Sequence, residues 1–221
     1  MKVLRVDLSR QEATVDQWPA DVQSAAAYGG RLLTAEILAE EVDPGCDPLG
    51  SKNRIVLATG PLAGWGVSCA GRLSMGAKSP LTGGIKESNA GGNLADALAG
   101  LGYRAMILSG CFPPDDPGLV IVEKDGVQFA TASDCCGLTL EQTAARLRST
   151  FGHEYAFAAI GPAGEMQLPS AAVCVSDVRG DPFRFAARGG LGAVMGSKGL
   201  KAVLVKEGSR PRPSGAVSYT H

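Results

Sequence analysis

Glycine is concentrated in this chain where cations and hydroxyls are also found, and that constrains the fold more than any other feature. Arg72-Leu73-Ser74-Met75-Gly76-Ala77-Lys78-Ser79-Pro80-Leu81-Thr82-Gly83-Gly84 is soon followed by Ser88-Asn89-Ala90-Gly91-Gly92. A second stretch runs Arg184-Phe185-Ala186-Ala187-Arg188-Gly189-Gly190-Leu191-Gly192-Ala193-Val194-Met195-Gly196-Ser197-Lys198. Glycine lets backbone approach a ligand closely and adopt positive φ. Arg and Lys beside free N–H groups make anion sites. Two such segments point to a large phosphate-bearing ligand gripped from two sides.

Composition sets the limits of that reading. The 221 residues suffice for one large domain or two small ones, and the 45% hydrophobic content can build a core. The formal charge of −1 leaves no electrostatic footprint for nucleic acid or an anionic membrane. Aromatics at 5% do not make a base-stacking platform. None of the six cysteines forms a C-x-x-C pair, so the sequence carries no zinc or iron–sulfur signature of its own. Vicinal Cys135-Cys136 reads first as two small residues in a turn before Gly137, and second as a redox pair. Met1 to Asp7 lacks the apolar stretch of a signal peptide. No window is long and apolar enough for a membrane span. The expected setting is soluble, reducing and cytoplasmic.

Residues 2–8 and 12–18 alternate apolar and polar, which predicts a β-hairpin. Residues 19–41 look helical, starting at Pro19-Ala20-Asp21 and interrupted at Gly29-Gly30. Strands are expected at 54–59, 72–77, 105–109, 119–123, 127–130, 155–160, 171–175 and 202–205, with a hairpin turn at Lys124-Asp125-Gly126. Residues 91–101 read as a helix, with Asn89 as its cap. Thr139 caps an amphipathic helix to Phe151, with Leu140, Ala144, Leu147 and Phe151 on one face. Residues 186–198 read as a glycine-rich turn region. Residues 1–207 read as one domain and 208–221 as a linker or disordered tail. Strands do not alternate regularly with helices, so the expected class is α+β, with mixed or antiparallel sheets and a few helices.

Familiar nucleotide motifs fail on inspection. Around Gly192 to Lys198 the order is Gly-Ser-Lys, not the Gly-Lys-Ser/Thr of a P-loop. No G-x-G-x-x-G follows a strand, which leaves a dinucleotide fold weakly supported. Arg72 and Lys78 would share one face of a strand, as a solvated surface or an anion site. Arg184 and Arg188 are spaced to reach one ligand from a turn. His153 follows Phe151-Gly152 and reads as a surface residue at a helix end. No Ser/His/Asp set or catalytic carboxylate pair emerges from spacing.

These blocks carry a resemblance. Arg72 to Gly84 and Ser88 to Gly92 resemble the N-terminal domain of the aldehyde ferredoxin oxidoreductase family. So do Tyr28-Gly29-Gly30-Arg31, Asp47-Pro48-Leu49-Gly50, Ala58-Thr59-Gly60-Pro61-Leu62-Ala63-Gly64, Ala159-Ile160-Gly161-Pro162-Ala163-Gly164-Glu165 and Arg184 through Val203. They stand in the family's order and span roughly residues 1–207. Any one alone is weak; together they are specific.

The resemblance implies a tungsten or molybdenum bis-pterin cofactor that oxidises aldehydes to carboxylic acids. It implies a [4Fe–4S] cluster passing electrons to ferredoxin, and Mg²⁺ bridging the two pterin phosphates. By residue, it implies cofactor contacts from Arg72, Ser88, Asn89, Gly91, Arg184, Phe185, Ala186 and Arg188. Mg²⁺ ligands would come from the Asn89 side chain and a main-chain carbonyl of Phe185 or Ala186. Family proteins are several times longer, so the cluster ligands, most of the substrate pocket and the later pterin contacts are expected outside this sequence. The chain alone is then expected to be inactive. Its expected partners are the remaining domains or a complementary subunit, ferredoxin, and a second copy through an exposed apolar patch. Phe185 and Ala187 replace the smaller Ala and Gly usual in the family's Arg-Ala-Ala-Gly-Arg-like block. A second reading keeps the fold, drops catalysis and makes the chain a binding or scaffold module for a partner protein.

Overall fold

The computed structural model describes residues 1–18 and 28–208. The expected helix start at Pro19 and all of the expected tail after Gly208 lie outside those residues. Two six-stranded sheets organise the rest. Sheet A has the order β2-β1-β6-β3-β4-β5 and sheet B the order β11-β10-β9-β12-β7-β8. Sheet A is formed by β1 (Lys2–Asp7), β2 (Glu12–Gln17), β3 (Ile55–Thr59), β4 (Leu73–Lys78), β5 (Ile85–Ala90) and β6 (Ala105–Ser109). Sheet B is formed by β7 (Gly118–Glu123), β8 (Gly126–Thr131), β9 (Tyr155–Ala159), β10 (Val173–Val175), β11 (Arg184–Ala186) and β12 (Leu200–Lys206). The pairs β1–β6 and β7–β12 run parallel, and every other pairing is antiparallel. This is the expected α+β class with mixed sheets.

Period-two patterning decides which sheet face meets which layer. From β3, Ile55 and Leu57 enter the central core, while Val56 and Ala58 face outward. Val203 and Val205 of β12 enter the same core, while Ala202 and Leu204 face outward. Full burial of each such aliphatic side chain stabilises the fold by about 1.5–3 kcal/mol. Two short helices, α2 (Leu94–Gly100) and α5 (Leu191–Ser197), add Leu94, Leu98, Leu191 and Val194 to the central core.

The outer faces are covered by helices. On sheet A, α1 (Gly30–Glu41) lays Leu33, Ile37 and Leu38 over Val3, Val56 and Ile107. It lies flush on β4, because a Cβ at Gly76 would stand 2.5 Å from Thr34 Cγ2. On sheet B, α3 (Leu140–Phe151) sets Ala144 and Leu147 on Leu119, Ile121, Phe157 and Leu204. Its start is fixed by a capping box, with Thr139 Oγ1 accepting from Gln142 N and Gln142 Oε1 from Thr139 N. A single helical turn, α4 (Pro162–Glu165), packs on α5.

Two expectations need correction. Ile85 to Asn89 is strand β5, so Asn89 is not a helix cap; the residue before α2 is Asn93. β5 is a polar edge strand, held by its ladder to β4 and not by β-propensity. The glycine-rich run after Arg184 is a strand followed by helix α5, not a turn region. Its glycines serve packing: a Cβ at Gly196 would lie 1.9 Å from Gly164 O, and one at Gly192 would lie 2.5 Å from Ala172 O. Cys135 is buried in a 3-10 turn (Ser133–Cys135) and Cys136 is exposed beside it; all six cysteines are free.

Candidate functional site

The edge of each sheet contributes one bank of a cleft of about 560 Å³. From sheet A come Arg72, just before β4, Asn89 on β5, and Gly91 and Gly92 between β5 and α2. From sheet B come Arg184 and Phe185 on β11, with Val178 from the β10–β11 connection. Val67, Cys69 and Gly71 complete the wall from the loop after β3, and Asp96 of α2 also lines it.

Ladder register sets this geometry. Ser74 stands opposite Asn89 and Leu73 opposite Ala90, which places Arg72 beside the end of β5. Arg72 Nε donates to Asn89 Oδ1. Across the cleft, Val175 opposite Arg184 sends that guanidinium out from the β10–β11 ladder. The two cations flank one glycine: a Cβ at Gly91 would lie 3.8 Å from Arg72 Nη1 and 4.0 Å from Arg184 Cδ. Neither arginine forms an ion pair among the described residues.

Two carboxylates stand near them. Asp96 Oδ1 accepts from Gly64 N at 2.8 Å, tying the wall loop to α2. Its Oδ2 lies over Gly71, where a Cβ would come within 2.5 Å. Burial pushes the Asp177 carboxyl upward, but the N–H groups of Asp181 and Arg179 and the charges of Arg184 and Arg179 outweigh it. Asp177 therefore stays ionised below the usual carboxylate range.

A buried network backs the cleft. Ser176 Oγ accepts from Phe157 N at 2.8 Å and donates to Asn93 Oδ1 at 2.6 Å, while Asn93 Nδ2 donates to Glu207 at 2.9 Å. Gly92, at φ 117, presses on it: a Cβ there would lie 2.1 Å from Ser176 O.

The other expected contact residues stand outside the lining. Ser88 is buried, and its Oγ accepts from Arg188 N at 3.3 Å, which docks the segment after β11 onto β5. Ala186 points into the central core. Lys78 and Lys198 are not at the cleft at all. Lys78 is about 20 Å along the strand from Arg72. Its ammonium is capped by the Pro44 and Cys46 carbonyls. Lys198 is fully buried and donates to Asn53 O at 2.6 Å and Gly110 O at 3.1 Å. Spacing gave no signal for Asp96, Val67 or Val178; the acidic residue in the first turn of α2 was the one trace available.

The arrangement can hold an elongated anion: two guanidinium groups with no ion-pair partner among the described residues, glycine backbone between them, an amide oxygen, a carboxylate and an aromatic wall. Among the described residues, no group of three or more His, Cys, Asp or Glu side chains could itself hold a metal, and no helix is long and apolar enough to cross a membrane.

Comparison with known proteins agrees in one direction. The sequence model of "Aldehyde ferredoxin oxidoreductase, N-terminal domain" matches residues 3–207. A tungsten-containing aldehyde ferredoxin oxidoreductase of Pyrococcus furiosus is 36% identical over 96% of this chain and 34% of its own length. The WOR-like subunit of an aliphatic sulfonate oxidoreductase from the same organism is 32% identical over 96% of this chain and 35% of its own. Among solved structures, the active-site complex BamBC of benzoyl coenzyme A reductase, in complex with 1,5-dienoyl-CoA, superposes with a TM-score of 0.85. The identity there is 30%, covering 96% of this chain and 31% of that one. The chain thus spans about a third of the length of these relatives.

Proposed function

Because the chain belongs to the aldehyde ferredoxin oxidoreductase family, we propose that it is the cofactor-binding base of a tungsten- or molybdenum-pterin oxidoreductase acting on aldehydes. The observation that carries this reading is the pair of arginines, one from each sheet, on either side of Gly91.

The donor set fits the group. Arg72 and Arg184 have free N–H donors for phosphate oxygens, and guanidinium–phosphate pairing is strong and directional. Gly91 and Gly92 leave room for a bulky ring system at the floor. Asn89 Oδ1 and the Asp96 carboxylate are hard oxygen donors of the kind Mg²⁺ takes alongside phosphates. In this structure Asn89 Oδ1 is engaged by Arg72, so a cation bound there would have Arg72 turn to a phosphate instead. A main-chain carbonyl of Phe185 or Ala186 is the second proposed ligand. Ser88 and Arg188 serve by fixing the segment after β11 against β5.

When bound, the metal–dithiolene centre supplies the two-electron redox chemistry. This chain's residues bind and orient its phosphate ends, and Phe185, Val67 and Val178 exclude water from the cleft. Electron transfer through a [4Fe–4S] cluster to ferredoxin is assigned to polypeptide beyond this domain. Exposed Val67, Val178 and Phe185 line the cleft and support a complementary domain or subunit closing over it.

The test is co-expression with the complementary two-thirds of a relative-length protein in a host that makes the cofactor. Pterin fluorescence and metal analysis should show both in the purified assembly, and both should fall sharply when Arg72 and Arg184 are replaced by Gln. An assembly that forms without pterin would instead make the chain a scaffold module.

A further inference from the structure

A second, smaller pocket of about 230 Å³ lies where β1 and β6 begin and β3 ends. It shares no lining residue with the cleft. Backbone bonds across the three strands assemble it: Arg104 N donates to Lys2 O, and Thr59 N to Arg104 O, each at 2.9 Å. Around it stand Lys2, Arg104, Tyr103 and Trp65, with Met1 also in the lining.

Donors outnumber acceptors here. Half-buried Arg104 gives one bond, from Nη1 to Gly60 O at 2.8 Å. Neither Lys2 nor Arg104 has an ion-pair partner among the described residues, and no described carboxylate lines the pocket. The Tyr103 hydroxyl has no hydrogen-bond partner among them either. In the last turn of α2 the carbonyls of Ala97, Leu98 and Ala99 are already taken, accepting from Leu101, Tyr103 and Gly102. Burial without a countercharge disfavours the Arg104 cation, and an incoming anion would relieve that cost.

We propose that this pocket binds a small inorganic oxyanion of the phosphate or sulfate type, held by Lys2, Arg104 and Tyr103 against Trp65. The site adjoins the back of the loop after β3, whose other side, at Val67, Cys69 and Gly71, lines the cleft.

Titration of the full chain with inorganic phosphate at constant ionic strength, followed by tryptophan fluorescence, tests this. A saturable change is expected in the millimolar range. It should vanish in Trp65→Phe, weaken about tenfold in Lys2→Gln, and persist in the Arg72→Gln/Arg184→Gln variant. Lys2 is exposed, so its replacement leaves the fold intact, which far-ultraviolet circular dichroism verifies. A response that never saturates, that keeps its midpoint in Lys2→Gln, or that disappears with the cleft arginines would overturn the proposal.

Discussion

Lys198 should give the domain a stability that rises with pH in mildly alkaline solution. Its side chain is fully buried, and its two recorded acceptors are neutral carbonyls, of Asn53 and Gly110. Burial, the largest influence, pulls its pKa down from 10.5 to about 8. The sign follows from proton counting. Between those two values the unfolded chain carries a proton the folded chain has released, so raising the pH favours folding. The full separation is worth about 3 kcal/mol, of which about 2 kcal/mol should appear between roughly pH 7 and pH 9.5. Cys174 works against it: burial pushes its thiol up to about 12, so its contribution is lost as pH rises above 9. The difference between wild type and Lys198→Met cancels the Cys174 part. Urea unfolding of both proteins at a series of pH values, read by circular dichroism, isolates Lys198. At neutral pH the variant should differ little, since relief of the buried charge offsets two carbonyls losing a donor. The wild type should then gain on the variant by about 2 kcal/mol by about pH 9.5. Parallel stability curves over that interval would refute the reasoning. Should the variant not fold, net proton release on folding of the wild type at about pH 8, below most of the range in which the raised thiols take protons up, reports the same sign.

Other outcomes follow from single contacts. Arg72→Gln or Arg184→Gln should weaken binding of a phosphate-terminated pterin about tenfold each in calorimetry, while thermal stability holds. Ser176→Ala strips partners from Phe157 N and Asn93 Oδ1 at once, and should cost about 3 kcal/mol in urea unfolding. Gly196→Ala drives a methyl into the Gly164 carbonyl and should cost about 3 kcal/mol or more, whereas Gly84→Ala, with nothing within 4 Å of the added Cβ, should change stability by less than about 0.5 kcal/mol.

Much of this architecture was legible in the sequence because it rests on local rules. Alternation gave the β1–β2 hairpin, an unbroken apolar run gave β3, and Thr139 marked the start of α3. What escaped depends on neighbours distant in sequence. Ile85-Lys86-Glu87-Ser88-Asn89-Ala90 has no strand pattern of its own and becomes β5 only beside β4. Gly192 and Gly196 read as turn formers, yet they sit in a helix because other backbone passes too close for a Cβ. Lys78 and Lys198 looked like ligand cations, and no pattern shows that backbone carbonyls wait for each in the interior. The Arg72–Asn89 contact follows from the β4–β5 register, so it was hidden until β5 was known.

Each bank of the cleft belongs to a different sheet, with a consequence for how the domain responds to its ligand. A molecule gripping Arg72 and Arg184 together acts as a cross-brace, and its binding energy is shared with the contact between the sheets. At about a hundredfold excess over its dissociation constant it would add about 2.7 kcal/mol to resistance against unfolding. The coupling is reciprocal. Substitutions in the central core that let the sheets drift apart would loosen the grip on a ligand they never touch. Affinity would then serve as a gauge of how well the sandwich is closed.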